Sequence, residues 1–373
     1  MPAVHPLDRS QISVVAHLHH PQHFWTSSMN ISSASNSAGS SSLATRNGGL
    51  KQPPSTNAAM DSQPFRNHGG NGVPPSDQAH SPWYQENGRW YGTYKKGQYM
   101  FPIDETECER LDVFHKIFLV ARRNALHSSH IQLPSNPRVL DLGCGTGIWG
   151  IDMADKYPGG IHVGLDLNYI QPEFIPANMR FLQRDVEDKW QDLEPGSWDL
   201  IHLRTLKGSI ADWPKLYGEI YRHLKPYYGH IEQVEIDWNP RCDDGTLAKD
   251  GPIVRWANEL FDAMDRCGRP IRFNSNVTKQ QLAAAGFDEI KEEVIKLPLN
   301  GWPSNPHERD VGRWFNLGMR QAYQPLSLAA LCRVHRRTAA EVYQITENAK
   351  NEVFPNSTRA YCTLHIFTAR RPR

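Results

Sequence analysis

Val139-Leu140-Asp141-Leu142-Gly143-Cys144-Gly145-Thr146-Gly147 is the stretch on which the reading of this chain turns. Val139 and Leu140 carry the apolar, β-favouring signal of a buried strand. Gly143, Gly145 and Gly147 then let the backbone turn sharply and come close to a ligand, because no Cβ stands in the way. Residues 148–154 follow with apolar side chains at helical spacing. Strand, glycine turn and helix make the opening unit of a nucleotide-binding βαβ fold. A glycine loop by itself does not say which nucleotide.

Downstream, strand signals recur at 161–166, 179–183, 198–203, 230–236, 290–299 and 361–369, with helix patterns over 211–224, 253–264 and 278–285. Strands separated by helices predict an α/β domain over residues 135–373. The expected form is a Rossmann-like, seven-stranded, mostly parallel sheet with helices on both faces. Upstream, Asp104 reads as the N-cap of a helix running to Ala121, with Glu107 in capping-box position. Leu111, Phe114, Phe118 and Ala121 form its apolar face. Its polar residues Asp104, Glu105, Arg110, Asp112 and His115 are expected mostly on a solvated face. Trp83, Tyr84, Trp90, Tyr91, Tyr94 and Tyr99 flank Asn87-Gly88, a two-residue hairpin signal. The hairpin is either a lid over a substrate or a cover for one edge of the core. Hairpin and helix together form an N-terminal cap over 81–134.

Residues 1–80 are rich in Ser, Asn, Pro, Gly and His and are expected to be a disordered tail, since they cannot bury enough surface to offset the entropy of ordering. His17, His19, His20 and His23 lie in it and read as solvated low-complexity sequence rather than a metal site. The formal net charge of +1 implies no strong field for nucleic acid or a membrane surface. The six cysteines are scattered without CxxC pairs, which argues against a zinc module and a disulfide framework and fits a reducing compartment. The start lacks the pattern of a signal peptide, and no apolar run approaches the roughly 20 residues of a membrane span, so a soluble intracellular protein is expected.

Three acids choose the cofactor. Asp141 precedes the Gly-x-Gly-x-Gly loop, Asp166 ends the second strand, and Asp185 follows the third. A dinucleotide needs backbone amides on a pyrophosphate. S-adenosylmethionine has none, and instead presents an ammonium that Asp141 can hold. Its two ribose hydroxyls can donate to Asp166, and its adenine amino group to Asp185, with Val186 packing on the ring. The expected cofactor contacts are Asp141, Gly143, Cys144, Gly145, Thr146, Gly147, Asp166, Leu167, Asp185 and Val186; no metal is expected.

Asp141 to Gly147, with Asp166, Asp185 and 224–229, resembles the class I S-adenosylmethionine-dependent methyltransferases. A narrower similarity, carried by 86–89, 99–105, 109–112, 201–204, 208–213 and 303–314, is to the LaeA-type fungal regulators of secondary metabolism. That resemblance implies a nuclear subunit of a complex with velvet-domain proteins, controlling secondary-metabolite gene clusters, sporulation and development. It also implies methylation of protein methionine, including self-methylation, for which Met100, Met153, Met179, Met264 and Met319 are the folded candidates. A methyltransferase for a small metabolite is the alternative reading.

A thioether acceptor has no proton to lose, whereas an oxygen or nitrogen acceptor wants a general base. Candidates at the strand ends are His202, Arg204, Glu232 and Glu235, with Arg204 and Glu235 favoured for the pocket and His202 reading better as a core group. No Asp/Asn-Pro-Pro-aromatic sequence follows the fourth strand, which counts against amino-methylation of adenine or glutamine. Cys144 lies inside the cofactor loop and reads as structural. Arg333, His335, Arg336 and Arg337 form a basic patch, read as a solvated helix face in preference to a nuclear-import signal.

Overall fold

The computed structural model describes residues 82–373. The expected tail and its histidines lie outside the described residues. The hairpin forms as read: β1 (Trp83–Glu86) and β2 (Arg89–Gly92) pair antiparallel around Asn87 and Gly88, both at positive φ. α1 (Glu105–Ala121) follows. β3 (Arg138–Leu142), α2 (Ile148–Lys156), β4 (Ile161–Asp166), β5 (Met179–Gln183), β6 (Leu200–Arg204), α3 (Trp213–His223) and β7 (His230–Cys242) build the cofactor half. α4 (Pro252–Arg266), α5 (Ser275–Ala284), β8 (Asp288–Pro298), α6 (Pro306–Val334), α7 (Ala339–Val353) and β9 (Ala360–Arg370) complete the described chain.

The main sheet has seven strands in the order β5-β4-β3-β6-β7-β9-β8, parallel from β5 to β7, with β9 antiparallel between β7 and β8. Its central strands are buried on both faces, which is why they read as continuous apolar runs. α3 and α5 cover one face, over Leu142, Val163, Leu203 and Ile231. On the other, Trp149 and Met153 of α2 pack on Val139 and Leu200. Tyr91, Phe101 and α1 share a single core with α4, α6 and α7.

Five expectations are corrected. The links 167–178 and 184–199 contain no helix; Pro172, Pro176 and Pro195 interrupt any helical run there, and Trp190 and Leu193 reach the core from irregular backbone. Apart from the helix face read at 333–337, α6 and α7 have no counterpart among the elements expected from the sequence; Pro325 sits inside the 29-residue α6 and reads as a breaker. Asp104 caps α1 through the Glu107 amide, but the Glu107 carboxylate pairs with Arg110 at 2.6 Å instead of closing a capping box. Nor is most of the polar side of α1 solvated: Glu105 is exposed, but Asp104 is buried against Arg89 with two 2.7 Å bonds, and Arg110 and His115 are buried as well. Likewise the basic patch at the end of α6 is largely spent inside the molecule, Arg333 on Glu86, His335 on Asp262 and Arg337 on Glu259.

Candidate functional site

A cleft opens at the carboxyl ends of β3–β6, where ligands bind in open α/β sheets. With the solvent at its mouth included it encloses about 1180 Å³. Gly143 and Gly145 form part of its floor, at φ 63° and 57°. A Cβ on Gly143 would stand 2.4 Å from a methyl of Leu206, so a larger residue would fill the cradle. Gly147 is required for another reason: it caps α2 at φ 79°, and a Cβ there would lie 2.2 Å from the Phe181 ring.

Asp166 accepts hydrogen bonds from the amides of Gly145 (2.8 Å) and Asn168 (2.9 Å), so the ribose-end acid and the glycine loop are one unit. Burial pushes its carboxyl up to about 6, although those amides pull the other way. Asp185 accepts from the Glu187 amide at 2.8 Å and from Lys95, which reaches across from the turn after β2 at 2.6 Å. Leu167 and Val186 border the same end of the cleft. Two carboxylates for hydroxyl and amino donors, apolar side chains beside them and a backbone cradle fit S-adenosylmethionine.

The other expected contacts stand behind the wall. Asp141 is buried under the loop, where His202 Nδ1 donates to it at 2.8 Å. Burial, opposed by Arg204 and His115, pushes its carboxyl up to about 7. It therefore does not meet a cofactor ammonium directly. The Cys144 amide donates to Leu165, and desolvation pushes the thiol of this half-buried residue up. Thr146 donates its hydroxyl to Asp112 of α1 at 2.7 Å, tying helix to loop.

Of the catalytic candidates, only Arg204 borders the cleft. Its guanidinium lies 4.6 Å over the Phe118 ring and donates to His115 Nδ1 at 3.2 Å. His202 is stacked on Trp149 with centroids 3.6 Å apart, and burial holds it well below its usual range, hence neutral. Glu235 is buried at the root of the loop after β6, accepting from the amides of Leu206 and Lys207 and from Gln233. Burial raises it to about 7. Glu232 pairs with Arg122 at 3.0 Å and accepts from the Ser128 amide at 2.7 Å. These three are structural: a carboxylate or imidazole this deep is kept by its fixed partners.

Sequence reasoning missed the far wall. Gln98, Tyr99 and Phe101–Ile103 come from the segment after the hairpin, so of the six aromatics read as a possible lid only Tyr99 borders the cleft. Arg110, Leu111 and Phe114 come from α1, Trp238 from β7, Ile271 from the link before α5, and Leu326 from α6. The α1 residues were foreshadowed, because a helix before the first strand is expected to close one side of such a pocket and 109–112 belongs to the narrower similarity, as does 99–105; Trp238, Ile271 and Leu326 are single residues from distant elements that no local signal marks. Glu187 joins two walls, accepting from Arg269 and from the Ala211 and Asp212 amides. The five folded methionines are all buried, none more than 6% exposed, and none borders the cleft. None of the five is therefore presented at the cleft in this fold.

Residues 113–292 match a family described as a methyltransferase domain. The chain is 49% identical over 309 residues to a secondary metabolism regulator of Cochliobolus heterostrophus, covering 81% of this chain and 99% of that protein. It is 48% identical to the protein-methionine methyltransferase laeA of Chaetomium globosum (83% and 76% covered). With the secondary metabolism regulator laeA of Aspergillus flavus it shares 43% over 332 residues (86% and 87%). Among solved structures, a Haemonchus contortus phosphoethanolamine N-methyltransferase 2 with S-adenosyl-L-methionine superposes with a TM-score of 0.42 at 17% identity, covering 70% of this chain and 53% of that one.

Proposed function

Because the chain belongs to the family of LaeA-type regulators of secondary metabolism and carries its methyltransferase domain, we propose that it methylates methionine side chains of partner proteins. Relatives named secondary metabolism regulator and protein-methionine methyltransferase support this reading. Its setting, a nuclear complex with velvet-domain proteins, rests on the same family resemblance.

The observation that carries the acceptor assignment is what the cleft offers an incoming nucleophile. Beyond the glycine loop its walls include Phe101, Ile103, Phe114, Trp238, Ile271 and Leu326, with no histidine among the described residues that line it. The three carboxylates present, Asp166, Asp185 and Glu187, already accept from fixed donors. Lys207 sits with its ammonium 4.0 Å from the Trp213 ring centroid. Tyr99 is held in its phenol form by burial. A largely apolar wall with no imidazole and no unengaged carboxylate suits a nucleophile that is neutral and has no proton to lose, which among side chains is the methionine thioether.

S-adenosylmethionine, when bound, supplies a methyl group on a sulfonium. The protein aligns the acceptor and excludes water, the contributions an in-line displacement asks for. A thioether accepting a methyl from a sulfonium moves a positive charge without creating or destroying one, which a poorly solvated wall tolerates.

The test is to incubate the protein with methyl-labelled cofactor and methionine-containing partner proteins, followed by peptide mass spectrometry. Label on methionine, with a transfer rate flat from about pH 6.5 to 9, is the expected result. Label confined to nitrogen or oxygen acceptors, a small metabolite included, or a rate climbing with pH as a base is unmasked, would overturn the assignment.

A further inference from the structure

The strand order lays the expected cofactor across the sheet in one direction. Asp185 stands after β5, Asp166 at the end of β4, the glycine turn after β3, and Arg204 at the end of β6. Neighbouring strands are roughly 4.8 Å apart, so three steps from β5 to β6 span about 14 Å. With the adenine acid and the ribose acid at one end, the amino-acid tail of a bound cofactor would run past Gly143 toward β6, whose Leu203 is in register with Leu142.

Arg204 is the cation that waits there. The other arginines bordering the cleft are neutralised by direct ion pairs: Arg110 with Glu107, Arg184 with Asp192, and Arg269 with Glu187. Arg204 makes no such pair. The nearest carboxylate it feels, Asp141, is engaged by His202. One of its five N–H groups goes to His115 Nδ1, leaving the His115 Nε2–H for Asp152 at 2.8 Å. With Phe118 beneath and His115 at one corner, the planar fork is held in place. Its remaining donors are spent on no protein group, and none is sealed from the cleft. A half-buried, oriented and unpaired guanidinium is built to receive a carboxylate through two parallel hydrogen bonds.

We propose that Arg204 holds the α-carboxylate of the cofactor's amino-acid tail, so that this end of the site recognises the cofactor's anion and not, as the acid before the loop suggests, its ammonium. Asp141 and His202 then serve Arg204 from behind, as positioning residues. Fixing the tail at β6 sets the direction in which the sulfonium methyl faces the apolar wall. This assignment rests on the cofactor and stands whichever acceptor is used.

The test measures binding alone. Calorimetric titration compares S-adenosylhomocysteine, its decarboxylated analogue S-adenosyl-3-thiopropylamine, and 5′-methylthioadenosine, which lacks the tail. The natural protein is expected to prefer S-adenosylhomocysteine over the decarboxylated analogue by roughly 10- to 100-fold, the range for charge-assisted hydrogen bonds. In Arg204→Met that preference falls below about threefold, while 5′-methylthioadenosine binds both proteins alike. Arg204→Lys, which keeps the charge and loses the fork, is the safer variant for folding and gives an intermediate preference. A natural protein that ignores the carboxylate, a preference unchanged in either Arg204 variant, or a preference lost in Lys207→Met instead, would overturn the assignment.

Discussion

Asp166→Asn is the substitution that most directly probes the cofactor site. In the free protein the two carboxylate oxygens of Asp166 each accept one backbone amide, at 2.8 and 2.9 Å, and burial raises the carboxyl to about 6. Ribose hydroxyls donate to the ionised form, so a bound ligand lowers that value and affinity must fall as pH drops through it. A group titrating at about 6 is roughly ten parts in eleven protonated at pH 5 and one part in eleven at pH 7, which predicts about a tenfold loss of affinity over that interval. The stability of the ligand-free protein runs the opposite way. A carboxyl raised above its unfolded value contributes stability in full below that unfolded value, and the contribution is lost as pH rises through about 6. An asparagine keeps one acceptor oxygen and sets an amide nitrogen against one of the two N–H donors. The loss of a charge-assisted bond then amounts to about 1.5–3 kcal/mol, or roughly 10- to 150-fold in affinity at pH 7.5. Calorimetric titration of S-adenosylhomocysteine from pH 5 to 7.5 reads both effects, and the variant should show a flat profile. Pronounced pH dependence surviving in the variant, or natural protein that binds equally well at pH 5 and 7, would refute the reasoning.

Gly147→Ala should destabilise the fold by about 2–5 kcal/mol, combining a left-handed backbone strain of about 1–2 with the overpacking of Phe181. In a Phe181→Leu background the cost should shrink to the backbone share; urea denaturation of the four proteins measures this, and an undiminished cost would count against ring packing as the reason for that glycine. Arg122→Met strands Glu232, whose carboxylate is fully buried and otherwise held only by the Ser128 amide. About 3–5 kcal/mol should be lost at pH 7. In the natural protein burial acts to raise the Glu232 carboxyl, but the Arg122 charge and hydrogen bonds outweigh it and hold the group below its usual value, so its contribution is present at neutral pH and lost as pH falls through that lowered value. Without Arg122 the carboxyl can be buried neutral at low pH, so the penalty should be smaller at pH 5; denaturation at the two pH values checks this, and equal penalties would argue against a stranded charge.

Much of the fold was legible because it is written in local pattern. Buried parallel strands appear as short apolar runs whatever surrounds them, and the Asn87-Gly88 hairpin and the Asp104 cap are set by residues adjacent in sequence. α6 escaped because its interior Pro325 breaks the local signal; its packing on α1 and α4 compensates only in three dimensions. The site divides similarly. Asp166, Asp185, Leu167 and Val186 follow directly from strand ends, and all border the cleft. Asp141, His202 and Glu235 occupy comparable places in the chain yet turn inward, because each finds a buried partner that spacing along one strand does not reveal.

The amino-acid sequence by itself determined that the chain makes a doubly wound sheet with a glycine cradle at its centre and acids at the strand ends to one side of it, since these depend on interactions only a few residues apart. Tertiary structure alone decided what the other side of the cradle does. The apolar acceptor wall is assembled from α1, β7, α6 and two links, and Arg204 is left unpaired only because Asp141 is taken by His202 and every other cleft arginine by a carboxylate. Whether a charge is free or spent depends on what lies within a few ångströms in space, and on that question neighbours in sequence are silent.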